Sequence, residues 1–205
     1  MIKKLFLTVL LILSLTGNVR ADSIAESYET QNDDTAVAGG TGGAGSGENR
    51  QQIAQTFSHS STFTCSQVAV YIRKVGSPTD NIILDIQTIS GGVPSGTLAN
   101  ANATKSIDAS TISATIGWVT FTFPATFSLT GSTTYAIVLR RSGSRSTTNV
   151  IRWGNDYLTA VYLNGSFFGM TETVWSENFL TVDFDFRVYE STAVSTPSMQ
   201  VIWIN

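Results

Sequence analysis

Apolar and polar residues alternate with a period of two along much of this chain. Val68, Val70 and Ile72 alternate with Gln67, Ala69, Tyr71 and Arg73. Ile82, Leu84 and Ile86 alternate with Asp85 and Gln87, and Val119, Phe121 and Phe123 with Thr120 and Thr122. Tyr135, Ile137 and Leu139 lie in a run ending at Arg140. Val182, Phe184, Phe186 and Val188 alternate with Asp183, Asp185 and Arg187. A period of two places successive side chains on opposite faces, so each run predicts a strand with one buried face. Thr, Val, Ile and Phe supply the β-branched and aromatic character that a pleated surface favours. The candidate core is the triplets at 68–72, 82–86 and 119–123, with Ile137, Leu139, Phe184 and Phe186.

Turn chemistry separates the runs: Gly76-Ser77-Pro78, Gly91-Gly92-Val93-Pro94-Ser95-Gly96, Gly131-Ser132 and Gly143-Ser144. Residues 108–116 could hold one short helical turn. Many short strands without a long helix predict an all-β fold, a jelly-roll-like antiparallel sandwich. Gly39 to Gly47 lacks the Gly-Lys-Ser/Thr ending of a phosphate loop and reads as a flexible loop. Residues 140–152 carry Arg140, Arg141, Arg145 and Arg152 around a Ser/Gly/Thr turn, which reads as a solvated basic tip.

The N-terminus changes the picture. Lys3 and Lys4 precede an uncharged apolar run, Leu5 to Leu15, and Val19-Arg20-Ala21 follows with modest side chains where a signal peptidase reads. This is the plan of a secretory signal peptide, and the run is shorter than the ~20 residues a membrane span needs. No Cys stands at the cleavage point, against a lipoprotein. The expected organisation is a signal peptide over 1–21, a β-sandwich over 22–190 and a polar tail over 191–205. That leaves no membrane span after cleavage. Removing 1–21 takes away Lys3, Lys4 and Arg20 and no acid, moving the formal charge from −3 to −6. An acidic exported domain argues against nucleic acid, which is bound by neutralising phosphates with Lys and Arg. Cys65 is alone, so no disulfide forms within the chain, and it reads as a small buried hydrophobe.

A series of motifs then appears in order: Gln55-Thr56-Phe57, Val68-Ala69-Val70-Tyr71-Ile72, Gly76-Ser77-Pro78-Thr79 and Ser90-Gly91-Gly92-Val93-Pro94-Ser95-Gly96. Trp118-Val119-Thr120-Phe121-Thr122-Phe123, Thr133-Thr134-Tyr135-Ala136-Ile137-Val138-Leu139, Arg152-Trp153-Gly154 and Phe184-Asp185-Phe186-Arg187-Val188-Tyr189 continue it. Together they resemble the choice-of-anchor R domains of bacterial surface proteins, with similar segments in phage and virus structural proteins. The resemblance spans roughly residues 26–190. It implies a jelly-roll sandwich similar to carbohydrate-binding modules of that shape, with no enzymatic activity and no site residues to carry over. The chain shows no cell-wall sorting motif, so secretion or non-covalent surface attachment is expected.

No constellation in the sequence reads as catalytic. Asp183 and Asp185 share a strand face, but they read as a solvated face rather than the flanking carboxylates of a glycosidase. The Glu-x-Asp-x-x-Glu strand of sandwich glucanases is absent. His59 and Cys65 cannot make a four-ligand zinc site. A structural calcium could be held by Asn32, Asp33 and Asp34 with Glu190, since calcium prefers oxygen ligands. The stretch 153–175 is richest in rings and amides. Within it Asp156, Tyr157, Asn164 and Phe167 form the candidate ligand-contact set, Asn164-Gly165 reading as a turn that presents its neighbours. Two functions fit: a secreted or cell-surface binding and adhesion module, carbohydrate-binding in type, or a structural protein of a matrix, appendage or virion acting through protein contacts. The apolar Val201-Ile202-Trp203-Ile204 near the C-terminus could add to a sheet edge, its own or that of a second copy in self-association.

Export is expected to remove residues 1–21. Intact-mass measurement of the exported protein should give a chain beginning at Asp22, and a form still carrying Met1 would refute the signal reading.

Overall fold

A computed structural model describes residues 20–30, 33–38, 51–156, 162–171, 173–177 and 182–193. The strands are β1 (Arg20–Tyr28), β2 (Asp33–Ala38), β3 (Gln52–Ser58), β4 (Phe63–Val75), β5 (Asn81–Ser90), β6 (Val93–Leu98) and β7 (Thr104–Asp108). They continue as β8 (Gly117–Leu129), β9 (Thr134–Arg141), β10 (Val150–Asp156), β11 (Phe167–Thr171), β12 (Val174–Glu177), β13 (Asp183–Phe184) and β14 (Phe186–Ala193). A 3-10 turn at Ala109–Thr111, capped by Asp108, is the one short helical turn expected over 108–116.

The fold is the all-β antiparallel sandwich that the periodicity predicts. The first sheet runs β1-β14-β4-β10-β13, with β8 on the other edge of β4 and β2 on β10. The second runs β12-β11-β3-β9-β5-β6, with β7 also on β5. The chain crosses repeatedly between the sheets, from β3 to β4 and back to β5, then again around β8, β10 and β11. This makes the arrangement jelly-roll-like.

Between the sheets lie the expected core residues. Val68, Val70 and Ile72 of β4 face Ile82, Leu84 and Ile86 of β5, with Phe121, Phe123, Ile137, Leu139, Phe184 and Phe186; Val119 is only partly buried. Trp153 stacks on Phe184 at 4.5 Å between centroids, and Phe167 meets the same ring edge-on at 4.8 Å.

One expectation is corrected here. The run 182–188 is not a single strand with a solvated acidic face. It breaks at Asp185: β13 pairs with β10, and β14 then pairs with β4. Asp183 and Asp185 are 6% and 0% exposed. Both are covered because the chain passes here under Thr30 on one side and against Gln55 and Tyr162 on the other. The pairing of β1 with β14 runs from Arg20 opposite Ala193 to Tyr28 opposite Phe186, so strand structure continues past residue 190. The Gly39–Gly47 stretch and Val201–Ile204 lie outside the described residues.

Truncating Phe184 to Ala removes a fully buried ring and should cost about 3–5 kcal/mol, a large share of the ~5–15 kcal/mol of a typical domain. Cys65 is buried, and burial pushes its thiol up to about 12. It should therefore react with a thiol reagent only when the fold opens. Phe184→Ala is expected to lower Tm and speed Cys65 labelling together; an unchanged Tm and labelling rate would place Phe184 outside the core.

Candidate functional site

The outer face of the second sheet carries a groove of about 490 Å³. Its floor and walls come from four places. Thr56 and Ser58 lie on the outward side of β3, and Thr134, opposite Ser58, starts β9. Ile89, near the end of β5, and Gly92, in the turn that follows, form the third. Leu163, Asn164, Gly165 and Ser166 lead into Phe168 of β11.

Local bonding fixes that last segment. Thr56 N–H donates to Ser166 O at 2.9 Å, Ser166 N–H donates to Thr56 Oγ1 at 2.7 Å, and Ser58 Oγ donates to Asn164 O at 3.5 Å. The segment thus continues the β11–β3 ladder. Gly165 is required by this closeness, since a Cβ there would stand 1.8 Å from Thr56 O. Leu163, 88% exposed, and Asn164 are pushed out to solvent. Toward the centre of the sheet the groove meets a small apolar cluster of Ala54, Ala136, Val138 and Phe168, covered by Ile89, Val93 and Trp175.

Chemically the lining combines hydroxyls and an amide with three apolar side chains, and among the described residues none that lines it is titratable. The Asn164 amide and the Thr134 hydroxyl make no hydrogen bond among the described residues, so both can serve a ligand. Of the expected contact set, Asn164 lies in this groove. Phe167, one residue from the groove-lining Phe168, points the opposite way into the core. Asp156 is buried, taking a hydrogen bond from Tyr28 Oη at 3.4 Å. Tyr157 lies outside the described residues. The hydroxyls of Thr56, Ser58 and Thr134 were missed by the sequence reading. The signal available was their outward phase on strands whose inward residues, Phe57 and Tyr135, are buried.

The acids near the groove are structural. Gln55 Nε2 donates to Asp183 Oδ1 at 3.0 Å while Gln55 Oε1 accepts from Phe184 N–H at 2.9 Å, tying β3 to β13 across the sandwich. Tyr162 N–H donates to Asp183 Oδ2 at 3.0 Å, and Tyr162 Oη donates to Glu26 Oε1 at 3.0 Å. Burial raises the Asp183 carboxyl, the Tyr162 and Gln55 donors oppose it, and the Asp156 charge adds to the rise. Burial and then the Glu26 charge raise the Tyr162 phenol.

The calcium expectation finds no support in placement. Asp33 lies opposite Asn155, whereas Glu190 lies opposite Ser23 and takes its hydroxyl at 3.1 Å. Asn155 pairs with Phe184, six residues before Glu190, or about 20 Å at the rise of a strand. Asn32 lies outside the described residues, among which no three His, Cys, Asp or Glu side chains gather for a metal. His59 Nδ1 is engaged with Ser61 and its ring meets Phe63, while Cys65 is buried.

The basic tip is also corrected. Arg141 is bidentate on Asp80 with its side chain only 6% exposed, and Arg140 Nε donates to Asp85 Oδ2 at 2.9 Å. Each arginine meets a carboxylate brought from β5 or the turn before it, which a local reading of 140–152 cannot see.

Compared with protein-family models, characterised proteins and solved structures, the chain matches none. The resemblance to choice-of-anchor R domains rests on the ordered motifs alone.

For Asp80, burial is the largest single influence and acts upward. The Arg141 hydrogen bonds and charge and the Gly143 N–H together outweigh it and hold the carboxyl below its usual value. A depressed folded value stabilises the fold above the unfolded value near ~3.9, and that stability is lost as pH falls through the folded value. Asp183 acts in the opposite sense: its raised value means that stability is gained as pH falls through it. Asp80→Asn should cost about 1.5–3 kcal/mol at neutral pH, with the deficit closing in strong acid. Melting across pH 2–7 checks this; a deficit constant with pH would show that the Asp80 charge contributes nothing.

Proposed function

We propose that this protein is a non-catalytic secreted or cell-surface binding module, and that the groove along Thr56, Ser58, Thr134 and Asn164 holds a glycan. The observation that carries this reading is the lining itself. It sets free amide and hydroxyl groups beside Ile89, Leu163 and Phe168, with no titratable side chain for proton transfer among the described residues. Sugars offer the matching surface, apolar C–H faces edged by hydroxyls. The volume lies in the range of about 300–1,000 Å³ usual for ligand sites. A site built on strand residues, with its one loop segment bonded to β3, is preorganised and needs little ordering on binding. The resemblance to choice-of-anchor R domains and the signal-peptide pattern of the N-terminus support the same reading, in which the groove faces the outside of the cell.

Assembly through protein contacts is the second reading. It is favoured by exposed Leu163 and by Val174, 68% exposed.

A glycan-array screen of residues 22–205, followed by titration of the best ligand, tests both. Asn164→Ala with Thr134→Ala should weaken binding at least tenfold, about 1.4 kcal/mol, while Tm stays that of the parent. Unchanged binding would remove the groove from the site. No glycan binding, with self-association that Leu163→Ser abolishes, would favour assembly.

A further inference from the structure

The strands that build the groove run on to a second pocket. Six residues back along β3 from Ser58, about 20 Å at the strand rise, Gln52 stands opposite Arg140 of β9. Here the same outer face opens into a pocket of about 390 Å³.

We propose that this pocket is an acidic-sugar subsite, with Arg140 receiving the carboxylate of a uronic-acid residue. The inference deepens the glycan reading and rests on it.

Arg140 is held in a specific way. Its Nε donates to Asp85 Oδ2, and Asp85 is itself buried, its other oxygen accepting Thr104 Oγ1 at 2.6 Å. Both Asp85 oxygens are thereby occupied and the guanidinium is fixed by one edge. Its two Nη nitrogens make no hydrogen bond among the described residues, and the side chain, 35% exposed, lines the pocket. A planar fork held by one nitrogen and open at the other two suits a carboxylate, which it can grip with parallel hydrogen bonds.

The neighbours decide which kind of anion. Arg141 also borders the pocket but is consumed by Asp80 and by Asn149 O. Gln51, Gln52 and Ser144 surround Arg140 instead, and their side chains make no hydrogen bond among the described residues. Each can give and accept, as ring hydroxyls require. Arg145 lines the pocket as well, so guanidinium groups stand among neutral amides and a hydroxyl, a lining that matches a polyhydroxylated body bearing carboxylate. A bare oxyanion would use only the donor half of each glutamine amide and leave its carbonyl unmatched.

The test is calorimetric titration of the exported chain at low salt with three probes: oligogalacturonate, its methyl ester, and inorganic sulfate. The ester keeps the sugar body and removes the charge. Oligogalacturonate should bind at least tenfold more tightly than the ester and weaken as salt rises. Arg140→Gln should abolish that preference and Arg140→Lys restore part of it. Because Arg140→Gln also leaves Asp85 without its partner, Gln51→Ala with Gln52→Ala supplies the second variant. Those amides make no hydrogen bond among the described residues, so it should melt like the parent yet lose several-fold in oligogalacturonate affinity.

Equal binding of acid and ester, sensitive to Asn164→Ala, would overturn the acidic subsite and leave the groove reading standing. Sulfate competing as well as the oligomer would overturn the sugar assignment in favour of a plain oxyanion site. Binding of no probe, with neutral glycans also failing on the array, would overturn both readings.

Discussion

The peptide and carboxylate of Asp185 join four segments of chain at one buried point. Its N–H donates to Gly154 O at 3.0 Å, and its C=O accepts from Tyr71 N–H at 3.4 Å and from Trp153 Nε1–H at 2.8 Å. Its side chain accepts Thr30 N–H at 2.5 Å and Thr30 Oγ1–H at 3.3 Å. The need arises from topology. One edge of β4 is shared, first by β14 and then by β10, and the strand that leaves β10 to join β4 must cross the gap at this residue. A strand crossing between partners would leave backbone groups unpaired in the core, at about 1–3 kcal/mol each. Here both are satisfied, and the tight approach leaves little room: a Cβ on Gly154 would lie 2.7 Å from the Tyr71 ring and 3.1 Å from Asp185 Oδ2.

From that junction the polar bonding spreads outward to the groove. Phe184, next to Asp185, sits between Trp153 and Phe167, and its N–H is taken by Gln55 of the opposite sheet. Gln55 and Tyr162 share Asp183, and Tyr162 begins the segment that delivers Leu163 and Asn164 to the surface. The groove wall is thus held at one end by a buried carboxylate and at the other by Thr56. A buried polar network of this kind fixes geometry so long as every member is satisfied. It also makes Tyr162 and Gln55 positioning residues for a surface that neither touches.

The sequence made some of this legible and hid the rest for identifiable reasons. The strands at 67–73 and 119–123 were visible because each has one buried and one more exposed face, the condition under which alternation appears; 82–87 showed because its covered outward positions are the polar Asp85 and Gln87, and 135–139, buried on both faces, showed as an apolar run. Alternation also continued through 182–188, so the break at Asp185 left no mark: a change of partner strand does not alter which face a residue occupies. The burial of Asp183 and Asp185 was invisible because their donors, Gln55 and Thr30, lie 128 and 155 residues away. Asn164 could be read as exposed from the Asn-Gly turn beside it. Phe167 could not be assigned a side, because Phe167 and Phe168 adjoin and only the strand phase tells which enters the core.

The two pockets occupy the ends of one sheet face for a physical reason. The middle of that face, around Ala54, Ala136 and Val138, is built from small side chains and is capped by Phe168, Trp175, Ile89 and Val93. The sheet curls, and β12 comes against β6 over this centre. A curled sheet closes most tightly where its side chains are smallest and opens where they lengthen or where turns begin. At one end the opening is edged by the β5–β6 turn and the 162–166 segment, whose side chains are neutral. At the other it is edged by the end of β9, which carries Arg140 and Arg141, and by the β9–β10 connection with Arg145. Shape therefore follows from the shared strands, while charge is set by the strand ends and the connections beyond them, and the two ends can differ in charge without any change to the sheet between them.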